Sequence, residues 1–102
     1  MIYIIGGCEY IDRQWILVNS VESYDLDSDT WSTVASMAES RACAGVATHD
    51  GLIYVIGGIN EVDDELSSVE VYDTKCNVWS QLGSNMSTGK ESFGAVVIDK
   101  PK

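Results

Sequence analysis

At 102 residues, 45% hydrophobic and 22% charged, the chain has the composition of a globular domain. Its formal net charge of −10 comes from 16 Asp and Glu against 6 Lys and Arg. That balance leaves no cationic footprint for nucleic acid or an anionic membrane surface, and permits a basic protein partner.

The first element is Ile2-Tyr3-Ile4-Ile5, β-branched and aromatic, too short for a free-standing helix, and read as a strand buried on both faces. Gly6-Gly7 ends it; paired glycines accept φ > 0 and let another segment approach closely. Residues 8–19 then form a loop in which Tyr10, Arg13 and Trp15 are of the types concentrated in interface hot spots. The alternative is a loop folded over a sheet edge, with Ile16, Leu17 and Val18 extending the next strand. Val21-Glu22-Ser23-Tyr24 alternates apolar and polar as a half-buried strand does, and Trp31-Ser32 begins another. Between them, Asp25, Asp27 and Asp29 suit a tight turn, since Asp tolerates left-handed geometry and bonds its own backbone. A calcium loop starting at Asp25 is disfavoured, because Thr30 and Ser36 stand where glycine and glutamate are required.

The second half repeats the first. Gly6-Gly7 returns as Gly57-Gly58, Tyr24 as Tyr72, Trp31 as Trp79, Met37 as Met86 and Gly45 as Gly94, at shifts of 48 to 51 residues. The second unit reads as four strands: 44–48; Leu52–Ile56, reached through an Asp50-Gly51 hairpin turn; 69–72; and 79–82. The run Phe93-Gly94-Ala95-Val96-Val97-Ile98 repeats the first of these. No stretch has helical periodicity, and strands grading from fully apolar to alternating suggest sheets stacked radially as blades.

Taken together, IYVIGG, VEVYD, a tryptophan seven residues after the tyrosine, and a Met and a cation before a glycine resemble the kelch repeat over nearly the whole chain. The resemblance implies an all-β fold of kelch-type β-propeller blades. Residues 2–37 would be a first blade lacking its first strand, 42–86 a complete second blade, and 92–99 the first strand of a third. Gly6, Gly7, Tyr24, Trp31, Arg41, Gly45, Gly57, Gly58, Tyr72, Trp79 and Gly94 would be the repeat's structural residues, the aromatics packing one blade on the next. The proline common after the family's Met is missing in both copies, and Lys90 replaces the arginine kept at Arg41. Lysine cannot reproduce a planar guanidinium contact.

A six-bladed ring at this period needs about 300 residues. The chain is therefore expected to be either part of a longer propeller or one that closes a ring by head-to-tail assembly of copies.

In kelch substrate adaptors, positions after the double glycine and two before the first-strand glycine line one mouth of the propeller. Here these are Cys8, Ile59, Cys43 and Ser92. The second non-repeating loop, with Ile59, Asn60, Asp63 and Asp64, reads as a solvated acidic loop or as contact with a basic partner. Cys8, Cys43 and Cys76 have no metal-ligand spacing and are expected as buried or half-exposed free thiols. His49, the one histidine, precedes a turn with no triad or metal constellation around it. Asn85-Met86-Ser87 is a formal glycosylation sequon, expected to be unused without a secretory leader.

The resemblance thus implies a non-enzymatic protein-interaction module, part of a substrate-recognition domain of a cullin-type ubiquitin-ligase adaptor, needing no cofactor and located in the cytoplasm. The alternatives are actin-type cytoskeletal binding and, less favoured for want of clustered acid–base or metal ligands, a propeller enzyme.

Overall fold

A computed structural model describes residues 1–62 and 64–91, and over them every regular element is a β-strand. The nine strands are β1 (Ile2–Ile5), β2 (Cys8–Ile11), β3 (Gln14–Leu17), β4 (Val21–Asp25), β5 (Thr30–Val34), β6 (Gly45–His49), β7 (Leu52–Ile56), β8 (Val69–Asp73) and β9 (Val78–Gln81). They form a three-stranded sheet β1-β4-β5, a separate hairpin β2-β3, and a four-stranded sheet in the simple order β6-β7-β8-β9, all antiparallel. The fold is all-β and blade-like, as the repeat pattern implies. Phe93-Gly94-Ala95-Val96-Val97-Ile98, Ser92, Asp63 and the expected strand at 92–99 lie outside the described residues.

The turns follow local chemistry that repeats with the sequence. Asp25 Oδ1 accepts from the backbone of Asp27 (2.9 Å) and Ser28 (3.4 Å), and Asp73 Oδ1 from Lys75 (2.9 Å) and Cys76 (3.2 Å). Asp29 and Asn77 close these turns at φ +55°. Of the carboxylates that begin like a calcium loop, that of Asp25 caps the turn and that of Asp29 accepts from the Tyr24 hydroxyl. Between β6 and β7, Asp50 (φ +50°) and Gly51 (φ +76°) make the expected tight hairpin. His49 Nε2 lies 3.1 Å from Asp50 Oδ2 at the same turn.

The double glycines are places of close approach. A Cβ on Gly6 would stand 2.7 Å from Arg41 O and 2.9 Å from Met37 Cε; on Gly57 it would stand 2.6 Å from Lys90 O and 2.9 Å from Met86 Cε. The backbone bonds match as well: Gly7 donates to Arg41 O (2.9 Å), as Gly58 does to Lys90 O (2.8 Å). Each double glycine is thus stitched to the linker that follows its own blade.

The core sits between the two large sheets. Alternation along β7 and β8 sends Ile53, Val55, Glu70 and Tyr72 to one face, where they meet Val21, Met37, Tyr3, Ile5, Val34 and Ala35 of the first unit. Val21 and Val55 are 0% and 1% exposed; burying a side chain of this kind contributes about 1.5–3 kcal/mol. Trp79 Nε1 donates to Ala35 O (2.7 Å), Asn77 Oδ1 accepts from Ala35 N (2.9 Å), and the Tyr3 and Tyr72 rings meet edge-on at 5.8 Å. Burial leaves the Tyr72 phenol with a pKa above its ordinary value, helped by its neighbours Tyr3 and Asp73.

Three expectations need correction. The strand Ile2–Ile5 is covered on one face only: Ile2 and Ile4 are exposed, because no described sheet lies beyond them. For the same reason Tyr24 and Trp31 stack on each other (4.8 Å) rather than on a neighbouring blade, with Trp31 58% exposed. Ile16 and Leu17 do not extend β4; they pair with Glu9 and Cys8 in the β2-β3 hairpin.

Candidate functional site

The β2-β3 hairpin is the feature the second unit does not copy. Asp12 (φ +50°) and Arg13 (φ +66°) occupy both centres of its two-residue turn, the left-handed pair whose twist suits adjoining strands. A non-glycine pair there is uncommon. The hairpin's base is fixed by Val18 N donating to Gly7 O (3.0 Å) and Gly7 N to Arg41 O (2.9 Å). Beyond that base it stands away from the core. Trp15 is 72% exposed and Tyr10 59%; their rings tilt together at 4.9 Å, directly across the ladder. Ile11 and Ile16 are exposed on the hairpin's other face. Large apolar side chains displayed together on a small element are a mark of an interaction surface.

The second non-repeating loop lies alongside. Ile59 bridges to Ala42 and to Glu65, with Ile59 N donating to Ala42 O at 2.8 Å. Asn60 Oδ1 accepts from Val62 N and Asp64 N, both at 3.0 Å, so its carboxamide oxygen shapes the loop from within. That leaves Glu61, Val62, Asp64 and Glu65 facing solvent. Trp15, Ile16 and Leu17 line a groove of about 210 Å³ whose other wall is Glu61. Glu61 also lines a neighbouring groove of about 290 Å³ with Glu39, Ser40, Asn60 and Val62. The two loops form one surface, aromatic on one side and acidic on the other.

Of the residues singled out in the sequence, Cys8, Tyr10, Arg13 and Trp15 stand on the hairpin, and Ile59, Asn60 and Asp64 on the adjoining loop. Cys43, left-handed at φ +58°, sits one residue after the Ala42 bridge to Ile59. All three cysteines are free and, contrary to expectation, exposed; each lies on a strand end, linker or turn rather than beneath a sheet. Sequence reasoning missed Glu39 and Ser40, which belong to the linker between units, and left Leu17 either in an interaction loop or in an extension of the next strand. Their only signal was adjacency to Arg41 and to Trp15.

Arg41 holds this arrangement from beneath. It is 1% exposed and donates Nε to Glu70 Oε2 (3.0 Å), Nη1 to Gly57 O and Ser68 O (both 3.0 Å), and Nη2 to Ser68 Oγ (2.8 Å). Glu70 also accepts from Ala38 N (2.7 Å) and Glu39 N (3.3 Å), so one buried ion pair ties the linker to β8.

The Kelch motif family model matches residues 1–38 and 40–86. A kelch repeat-containing protein of Caenorhabditis elegans is 37% identical over 96% of this chain, and the Kelch repeat and BTB domain-containing protein 12 of Homo sapiens 31% over 96%. An F-box/kelch-repeat protein of Arabidopsis thaliana is 41% identical, again over 96% of the chain. The chain spans 16%, 17% and 25% of the lengths of these three relatives.

Proposed function

The chain belongs to the kelch-repeat family, and we propose that it serves in a propeller that recognises a protein substrate for a cullin-type ubiquitin ligase. Kelch repeats mediate protein–protein interaction, and relatives that carry a BTB domain or an F-box beside the repeats support the adaptor reading. The observation that carries it is the β2-β3 hairpin: an element outside the repeat pattern, displaying Tyr10 and Trp15 beside an acidic loop. Strands of a blade must bury their side chains; a hairpin with no blade to complete is free to present them. The partner suited to this surface is a protein with basic character, and a reducing cytoplasmic setting accords with three unpaired, exposed thiols.

We also propose that the open face of the first sheet takes a further blade, in the same parent chain or from another copy. Ile2, Ile4, Glu22, Tyr24 and Trp31 there correspond to Ile53, Val55, Glu70, Tyr72 and Trp79, which are covered by the first unit. The experiment is Trp15→Ala in the full-length protein, with partner capture from lysate as readout. Capture should fall while the near-ultraviolet circular dichroism of the blades is kept; undiminished capture would refute the hairpin as the binding element.

A further inference from the structure

We infer that the outer edge of β3 is a strand-addition site for an extended, lysine- or arginine-bearing segment of a partner protein. The inference rests on the reading of this face as a protein-binding surface, and specifies how the partner is held.

β2 and β3 make a two-stranded sheet, so among the described residues β3 has a free edge. Antiparallel ladders alternate hydrogen-bonded and non-bonded pairs. The bond from Val18 N to Gly7 O sets the phase: Ile16 with Glu9 and Gln14 with Ile11 are the bonded pairs. The N–H and C=O groups of Trp15 and Leu17 therefore point outward, and neither residue bonds another element among the described residues. A groove runs along this edge. Successive side chains of a strand point to opposite faces, so Trp15, Ile16 and Leu17 line one groove because it follows the strand's edge.

Natural edge strands are blunted by lysine, proline, a bulge or shortness; Gln14–Leu17 is four residues long but has no lysine, proline or bulge. A peptide laid along β3 finds backbone partners at Trp15 and Leu17 and apolar walls from the same residues. Glu61 faces it across the groove, and Glu39 lies beyond in the adjoining one. Those carboxylates, on a chain of net charge −10, select a cationic side chain next to an apolar one.

The test is fluorescence anisotropy with the full-length protein and a short labelled peptide alternating valine and lysine. Two companion peptides are used, one with glutamate for lysine and one methylated on alternate backbone nitrogens. The lysine peptide should bind, and methylation should weaken it by about tenfold or more, since strand addition uses the peptide's own N–H groups. Glu61→Lys should lower affinity for the lysine peptide by about tenfold and raise it for the glutamate peptide. Leu17→Pro, which removes an outward N–H without touching the β2-β3 bonds, should act like methylation. If that variant misfolds, Glu61→Lys and the peptide pair still decide. Equal binding of the methylated peptide, or of the glutamate peptide, overturns the inference. So does the absence of binding in every arm, even where Trp15→Ala still reduces capture of the natural partner.

Discussion

Arg41 and Glu70 meet at 3.0 Å with 1% and 2% of their side chains exposed, an ion pair built almost entirely out of reach of water. Such a pair is tolerable because nothing in it is left over: the guanidinium has four acceptors and the carboxylate three donors. Glu39 adds a longer contact at 3.5 Å from the solvent side. Removing one partner strands the other. Arg41→Ala should therefore cost about 3–5 kcal/mol, read as the urea midpoint. Arg41→Lys should recover only part of that, because an ammonium cannot reach the same set of acceptors. Glu22→Gln, at the exposed counterpart of Glu70, should stay within about 0.5 kcal/mol of the parent in this chain.

The double glycine separates two causes of strain. Gly57 and Gly7 both have positive φ, +65° and +97°, but a Cβ on Gly57 would meet Lys90 O at 2.6 Å and one on Gly7 would meet nothing within 4 Å. Gly7→Ala should cost about 1–2 kcal/mol from backbone conformation alone. Gly57→Ala should cost clearly more, because backbone has to move as well. Thermal unfolding of the two variants side by side checks the order; equal losses would refute the steric account.

Trp79 and Trp31 occupy the same place in their units and have different surroundings. Trp79→Phe gives up the bond to Ala35 O and should lose about 1 kcal/mol or more. Trp31→Phe should change the stability of this chain by less than about 0.5 kcal/mol, since its indole lies mostly in solvent. In the full-length protein the two losses should converge if a blade covers the first sheet. Persistent indifference to Trp31→Phe there would argue that the face stays open.

Alkaline stability should report on Tyr72. Its folded pKa lies above the ordinary 10.0, chiefly because burial disfavours the phenolate. Below 10.0 both states are protonated and the contribution is complete. As pH rises past 10.0 the unfolded chain loses its proton first, so stability falls until the folded pKa is passed. Tyr72→Phe should be less stable at neutral pH, for want of the bond to Asn77 Oδ1 (2.7 Å), yet show a shallower alkaline decline. Unchanged steepness in urea titrations above pH 10.0 would count against it. The Tyr24 phenol is also raised, by the hydrogen bond it donates to Asp29 and then by burial.

Much of the fold was legible because it is local and stated twice. The glycine stops after Ile5 and Ile56 and the Asp-led turns act over a few residues, and each copy vouches for the other. Alternation along Val69–Asp73 marked its strand but not its burial, since Val69, Glu70, Val71 and Tyr72 are all buried rather than half-buried. The hairpin was not legible in this way. Residues 8–19 have no second copy, and their apolar run Ile16-Leu17-Val18 fits continuation of β4 as well as a return strand. What chose between them was Asp12-Arg13 taking left-handed geometry together, which Asp12 favours but Arg13 does not announce. Glu61 came to face the hairpin, and Glu39 to line the adjoining groove, only through folding of the second loop and the linker.

By itself, then, the sequence determined the repeat, the blade strands, their turns and the glycines, since propensity, alternation and turn chemistry are properties of neighbouring residues. Which copies of the repeated residues are buried was decided by tertiary structure alone. Tyr72 and Tyr24, like Trp79 and Trp31, are the same residue in the same motif. One of each pair is packed and the other open, because burial depends on which sheet stands opposite. The meeting of an aromatic hairpin edge with an acidic loop was decided there too: proximity between segments far apart in the chain is set by the packing of blades.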